Sequence, residues 1–364
     1  MENISPEDDL NDLRKDIIFK LQELKRRGAL CGSLNSLFQQ VGFDSSNTYK
    51  ALIAKVNKLE SGDVQKQLQA TATVVNQELL KHVQFYNKRA YFYSVSRSNL
   101  ETLFKTLKND NSLFKKGKND YVDYNLSEDE SFETSLVVDT NDFKIIYLKS
   151  LRNRQETKRI DDKIPSIVED ENEKIIRLTK VVQYPMNAYD FVAFDFKNEC
   201  LILGADLTSV FPKAETEKSI GNLLTSLRKL SRTVEIPSKS KDLRNCVENF
   251  EKEEIGDVLD HAFVTAEGGY NHAGKSLTKG QDVRKDGFHK DGIEGKEADY
   301  YGVVKAYTPI NGEKDEKVII TIRLTYKEYK DKSSLPIRYA IFNGVRTLSG
   351  LTYSIRKVLE HNHN

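Results

Sequence analysis

Residues 269 to 276 read Gly-Tyr-Asn-His-Ala-Gly-Lys-Ser and follow the pattern G-x-x-x-x-G-K-[ST]. In that pattern the glycines let backbone N–H groups wrap an anion, while Lys275 supplies charge and Ser276 a hydroxyl. His272, inside the run, is a further candidate anion contact. The chemistry needs an apolar strand before the loop and a helix after it, so that N–H groups converge on phosphate. Residues 261–268 are short and polar for a buried parallel strand, and 277–282 lead into further glycine. The flanks therefore predict a long glycine-rich loop over 267–297 that contacts a ligand or partner, rather than a nucleotide cradle. Seven of the nineteen glycines fall between Gly268 and Gly295, and Asp282, Asp286 and Asp291 dilute the positive charge there.

A second set is Asp190, Asp195 and Lys197. On a strand Asp195 and Lys197 share one face. An acid and a lysine two apart are similar to the arrangement in metal-dependent nucleases, where carboxylates hold a divalent cation and the lysine orients water. That likeness implies Asp190 as the other metal carboxylate and makes these three the candidate catalytic residues. Ordinary alternation on a solvated strand produces the same residues. No His or Cys set has metal-ligand spacing and no nucleophilic triad can be assembled, so neither a metal nor a cofactor is assigned.

A third set lies near the N-terminus. Residues 33–43, Ser-Leu-Asn-Ser-Leu-Phe-Gln-Gln-Val-Gly-Phe, precede Ser45-Ser46-Asn47-Thr48-Tyr49-Lys50. Over residues 33–59 this resembles the helix-turn-helix superfamily, with Val41-Gly42-Phe43 as the turn and a recognition helix that starts on small polar residues. The resemblance implies that Ser45, Ser46, Asn47, Thr48 and Lys50 reach base edges or phosphates and that Arg26 and Arg27 hold the backbone. A plain helical bundle has the same apolar pattern, and Phe38 is large for the family.

The run Phe85-Tyr86-Asn87-Lys88-Arg89-Ala90-Tyr91-Phe92-Tyr93 interleaves rings with bases, as a single-stranded nucleic-acid platform does, making Lys88 and Arg89 candidate phosphate contacts. It equally describes a helix end whose rings fill a core while its bases snorkel, and that is the expectation preferred.

The elements that must position these residues divide the 364-residue chain. Leu10, Leu13, Ile17, Leu21 and Leu24 begin a helical pattern that extends over 1–108. Residues 109–132 form an acidic linker: eight acids and no base lie between Asp120 and Asp142. Strand patterns over 134–138, 143–149, 174–182, 190–196 and 200–205 precede a helix over 216–231, giving one α+β unit over 133–236. A second unit over 237–364 has a helix over 241–260, strands over 301–307, 317–326 and 337–342, and a last helix over 348–360. Residues 219–230 align without gaps to 347–358, which a duplicated sheet-plus-helix unit explains, as does chance likeness of amphipathic helices. The expected class is α+β: a helical domain, then one or two mainly antiparallel units.

A net charge of +1 supplies no global field toward nucleic acid or membrane, so such a partner needs a local patch. No apolar stretch approaches the ~18 residues of a membrane span, the acidic start is not expected to be a signal peptide, and three scattered cysteines suit a cytoplasmic location. The function expected is an intracellular binding or regulatory protein, not an enzyme, whose helical domain contacts nucleic acid or a second copy and whose α+β part binds a ligand or partner. The alternatives are an enzyme on phosphate-containing substrates and a protein–protein assembly module.

Overall fold

Among the described residues, β-branched and aromatic side chains, which suit a pleated and half-buried surface, concentrate in ten segments that pair into one antiparallel sheet. A computed structural model describes residues 6–60, 63–109, 114, 124–127, 130–159, 179–265, 270–274, 282–285, 298–309, 312–313, 316–331 and 335–362. The strands are β1 (Lys88–Ser94), β2 (Glu133–Asp139), β3 (Phe143–Arg159), β4 (Thr179–Asp195), β5 (Cys200–Ala205), β6 (Asp257–Thr265), β7 (Tyr270–Gly274), β8 (Ala298–Tyr307), β9 (Val318–Arg323) and β10 (Ala340–Asn343). Their spatial order is β2-β3-β4-β5-β1-β10-β9-β8-β6-β7.

Four helices precede the sheet: α1 (Pro6–Arg26), α2 (Cys31–Gln40), α3 (Tyr49–Asn57) and α4 (Val64–Gln84). Ile17, Leu21 and Leu24 of α1 meet Leu34, Phe38, Leu52, Val56, Leu68, Val75 and Leu79 in one core. Gly28, at φ +82°, ends α1 in a conformation that side chains with a Cβ rarely adopt. Further along come α5 (Arg97–Asn109), α6 (Lys213–Leu230), α7 (Arg244–Lys252), α8 (Tyr326–Asp331) and α9 (Leu348–His361). The class is α+β with an N-terminal helical region. No described helix is long and apolar enough to cross a membrane.

Strand β1 sits at the middle of the sheet, antiparallel to both β5 and β10. Its odd residues Tyr91 and Tyr93 join a core with α5 and α6, and its even residues Ala90 and Phe92 join one with α7 and α9. The order α5-β2-β3-β4-β5-α6 is thus repeated as α7-β6-β8-β9-β10-α9, with β7 and α8 inserted. A half-turn about the β1 axis exchanges the two sets: it keeps strand direction, swaps the faces, and carries α6 onto α9. The aligned stretches 219–230 and 347–358 fall on those two helices.

The sequence-based outline needs four corrections. Residues 1–108 are not all helical, because 88–94 form the central strand. With apolar cover on both sides, every residue from Lys88 to Tyr93 is buried, a pattern that resembles neither a half-solvated strand nor a helix. The candidate strands 174–182 and 190–196 are joined in one 17-residue strand, Thr179–Asp195, paired with β3 along its full length; residues 174–178 lie outside the described residues. The helix expected over 241–260 stops at Lys252, and residues 257–265 form an antiparallel strand that takes in the first part of 261–268, the stretch judged too short and polar for a buried parallel one. The stretch 267–297 contains strand β7 and a 3-10 turn at Val283–Lys285.

Candidate functional site

The junction between the helical bundle and the sheet is built around buried charge. Asp206, just beyond β5, is fully buried and accepts from two cations. Lys88 Nζ donates to its Oδ1 at 2.6 Å, and Arg27 Nη2 to its Oδ2 at 2.7 Å. The Tyr189 N–H completes the cage at 2.8 Å. Burial drives this carboxyl up, but Arg27, Lys88 and these hydrogen bonds outweigh it and hold it below the usual range. Burial pushes the Lys88 ammonium down to about 8; Asp206 opposes that shift and the Arg27 charge adds to it. Lys88 also reaches the carbonyls of Val83 and Tyr189, and Arg27 that of His82, so α1, α4, β1 and β4 are tied at one point.

The network continues through Asp190. Its Oδ1 accepts the Asp206 N–H at 2.8 Å, and its Oδ2 accepts from Ser219 Oγ at 2.6 Å and from Arg152 Nη2. One turn earlier on α6, Thr216 Oγ1 accepts from Arg89 Nη1 at 2.5 Å. Arg27, Lys88 and Arg89, candidates for phosphate contact in the sequence, are therefore interior groups at 1%, 0% and 5% exposure. Cations that look solvated in the sequence are held inside by partners more than a hundred residues away, which local spacing does not reveal.

Asp190 and Asp195 do not come together. Five residues apart on an extended strand they are separated by roughly 16 Å and lie on opposite faces. Asp195 caps the β4–β5 turn, accepting from Lys197 N–H at 3.1 Å, Asn198 N–H at 3.0 Å and Asn198 Nδ2 at 2.7 Å. Lys197 is in that turn and exposed. Among the described residues no group of three or more His, Cys, Asp or Glu has the geometry to hold a metal ion. The nuclease-like arrangement of Asp190, Asp195 and Lys197 is thus absent. Lys275 and Ser276 lie outside the described residues; His272 is on β7, where backbone pairs with β6 instead of curling as a phosphate loop does.

A set of basic residues gathers between the bundle and the free part of the β3–β4 ribbon. A groove of about 730 Å³ is lined by Lys25 and Arg26 of α1, Lys50 of α3, and Arg154 and Lys158 of β3, with Glu156 the one acid among its described lining residues. Tyr184 on β4 lies across from Arg154, and its ring stands 5.7 Å from that guanidinium and 6.0 Å from Arg26. Arg154 Nη1 donates to the Arg26 carbonyl at 2.7 Å, closing the bundle onto the ribbon. No protein-family model, curated protein or solved structure matches this chain. The groove must be interpreted on its own chemistry.

Residues 41–48 separate α2 from α3, with Gly42 at φ +87°. Thr48 caps α3 by accepting the Ala51 N–H at 3.2 Å. Ser46 is buried and its N–H donates to Asn35 Oδ1 at 2.9 Å, while Ser45, Asn47, Thr48 and Lys50 are exposed. Of the sequence-derived candidates, the structure brings Arg26 and Lys50 into one groove. Arg154 and Lys158 were missed because β3 was expected to end at residue 149. The alternation from Leu151 through Arg159 was the available signal.

Proposed function

We propose that the protein binds nucleic acid, and that the groove between α1, α3 and the β3–β4 ribbon holds the phosphate backbone. Five bases against one acid among the described residues of a concave wall is the observation that carries this reading. Clustered Lys and Arg gain affinity by releasing counterions from phosphate, and a concave low-dielectric wall concentrates their field despite a net charge near zero. Tyr184, flanked by two guanidiniums, offers a ring on which an unpaired base stacks. The helix-turn-helix resemblance contributes the exposed start of α3, where Asn47 and Thr48 stand beside Lys50. The protein acts here as a binding or regulatory module.

Fluorescence anisotropy of labelled single-stranded and duplex oligonucleotides with the full chain tests this. Affinity is expected to fall steeply with salt, with a log–log slope of about −3 to −4 if four or five phosphates are neutralised. Lys50→Glu and Arg154→Glu are each expected to weaken binding about tenfold and to flatten that slope. No binding at low salt, or reversals that leave the affinity unchanged, would dismiss the reading.

A further inference from the structure

A second cavity lies beside the buried charge network, and Arg152 is among its lining residues. It measures about 500 Å³ and lies among β3, the segment before β2, the β5–α6 connection and α6. Arg152 is 7% exposed; its Nη2 serves Asp190 and Ser219, and its plane sits 5.6 Å from the Phe211 ring. Its Nη1, equally buried and also part of the lining residue, has no hydrogen-bond partner among the described residues. A buried charged donor left without an acceptor is costly, so such groups are rare unless something comes to meet them.

We propose that this cavity binds a small molecule through a carboxylate or phosphate oxygen seated on Nη1 of Arg152. Its volume falls in the range of small-ligand sites. Gln155, Gln183 and Asn222 line the walls and can donate to or accept from the rest of the molecule, and Phe132 offers an apolar surface. Glu130, held by Lys218 at 3.7 Å, and Glu215 place two carboxylates at the wall. That arrangement suits a singly charged group and resists a polyanion. The site is independent of the basic groove, since it shares none of its lining residues.

Isothermal titration calorimetry on the full chain, with acetate, L-glutamate, inorganic phosphate and adenosine monophosphate as separate probes, decides the matter. At least one is expected to bind saturably at millimolar concentration or below; the carboxylate and phosphate arms show which source of the oxygen is used. Asn222→Trp fills the cavity from an exposed position on α6 without touching the buried charges, and it is expected to abolish that binding. Arg152→Lys keeps the charge and removes the forked donor, and where it folds it is expected to weaken binding about tenfold or more. If none of the four probes saturates, or if Asn222→Trp binds as wild type does, the proposal is overturned. Unchanged affinity in a folded Arg152→Lys protein overturns it equally.

Discussion

Replacing Asp206 by Asn is expected to destabilise the fold by about 3–5 kcal/mol, because it leaves buried cations without their counter-charge. Both carboxylate oxygens are in use, one on Lys88 and one on Arg27, and neither cation can turn to water from 0% or 1% exposure. An amide keeps the volume but presents an N–H₂ to one of the two donors, so repulsion is added to the loss of attraction. The change acts where α1, α4, β1 and β4 meet. Chemical denaturation followed by circular dichroism is expected to show a lowered midpoint, with the helical bundle loosening from the sheet. Lys88→Met in the same background is expected to recover part of the loss, since it removes one of the orphaned charges. A loss below about 1 kcal/mol for Asp206→Asn would mean that the ion cluster does not hold the bundle to the sheet.

The same cluster explains which parts of this protein were legible in its sequence. Strand β5 was located to the residue and α9 to within one, since turn signals bound the one and Thr347 caps the other, its Oγ1 accepting the Gly350 N–H at 2.9 Å. Local signals of this kind are complete within a few residues. The central strand was misread because its character depends on distant groups: Lys88 and Arg89 look solvated until Asp206 and Thr216 are set against them. Asp190 stood out as a candidate for metal chemistry, and its actual role is to accept from Arg152, Ser219 and the Asp206 backbone. Arg26, Arg27 and Lys50 were grouped as phosphate contacts. Adjacent in sequence, Arg26 and Arg27 part company at the end of α1, one toward the groove and one into the interior. Helical periodicity alone does not decide that choice, because it turns on what β4 and β5 place beneath the helix end.

Acid is expected to weaken the fold before its carboxylates titrate, and His82 is the reason. The imidazole is 7% exposed on α4, its ring 4.6 Å from that of Tyr86 and its Nε2 3.7 Å from Glu78. Burial is the main cause that pulls its pKa down to about 3, and Arg27, Arg346 and Lys88 push it the same way while Asp206 opposes them. An unfolded histidine titrates near 6.5. Below that pH the unfolded chain binds a proton that the native chain refuses, so stability is full above about 6.5 and falls as pH drops toward 3. By pH 5 the loss from this group is about 2 kcal/mol, at 1.36 kcal/mol per pH unit. Glu78 acts in the opposite sense, because burial raises its carboxyl and a raised acid favours the native state as pH falls. His82→Phe keeps a ring against Tyr86 and leaves Glu78 in place, so the difference between the two proteins isolates the imidazole. Urea unfolding at pH 7.0, 6.0 and 5.0 is expected to show stability falling in the wild type and nearly level in the variant. Parallel curves would place the proton elsewhere, and a variant that loses stability at low pH as fast as the wild type would refute a neutral buried His82.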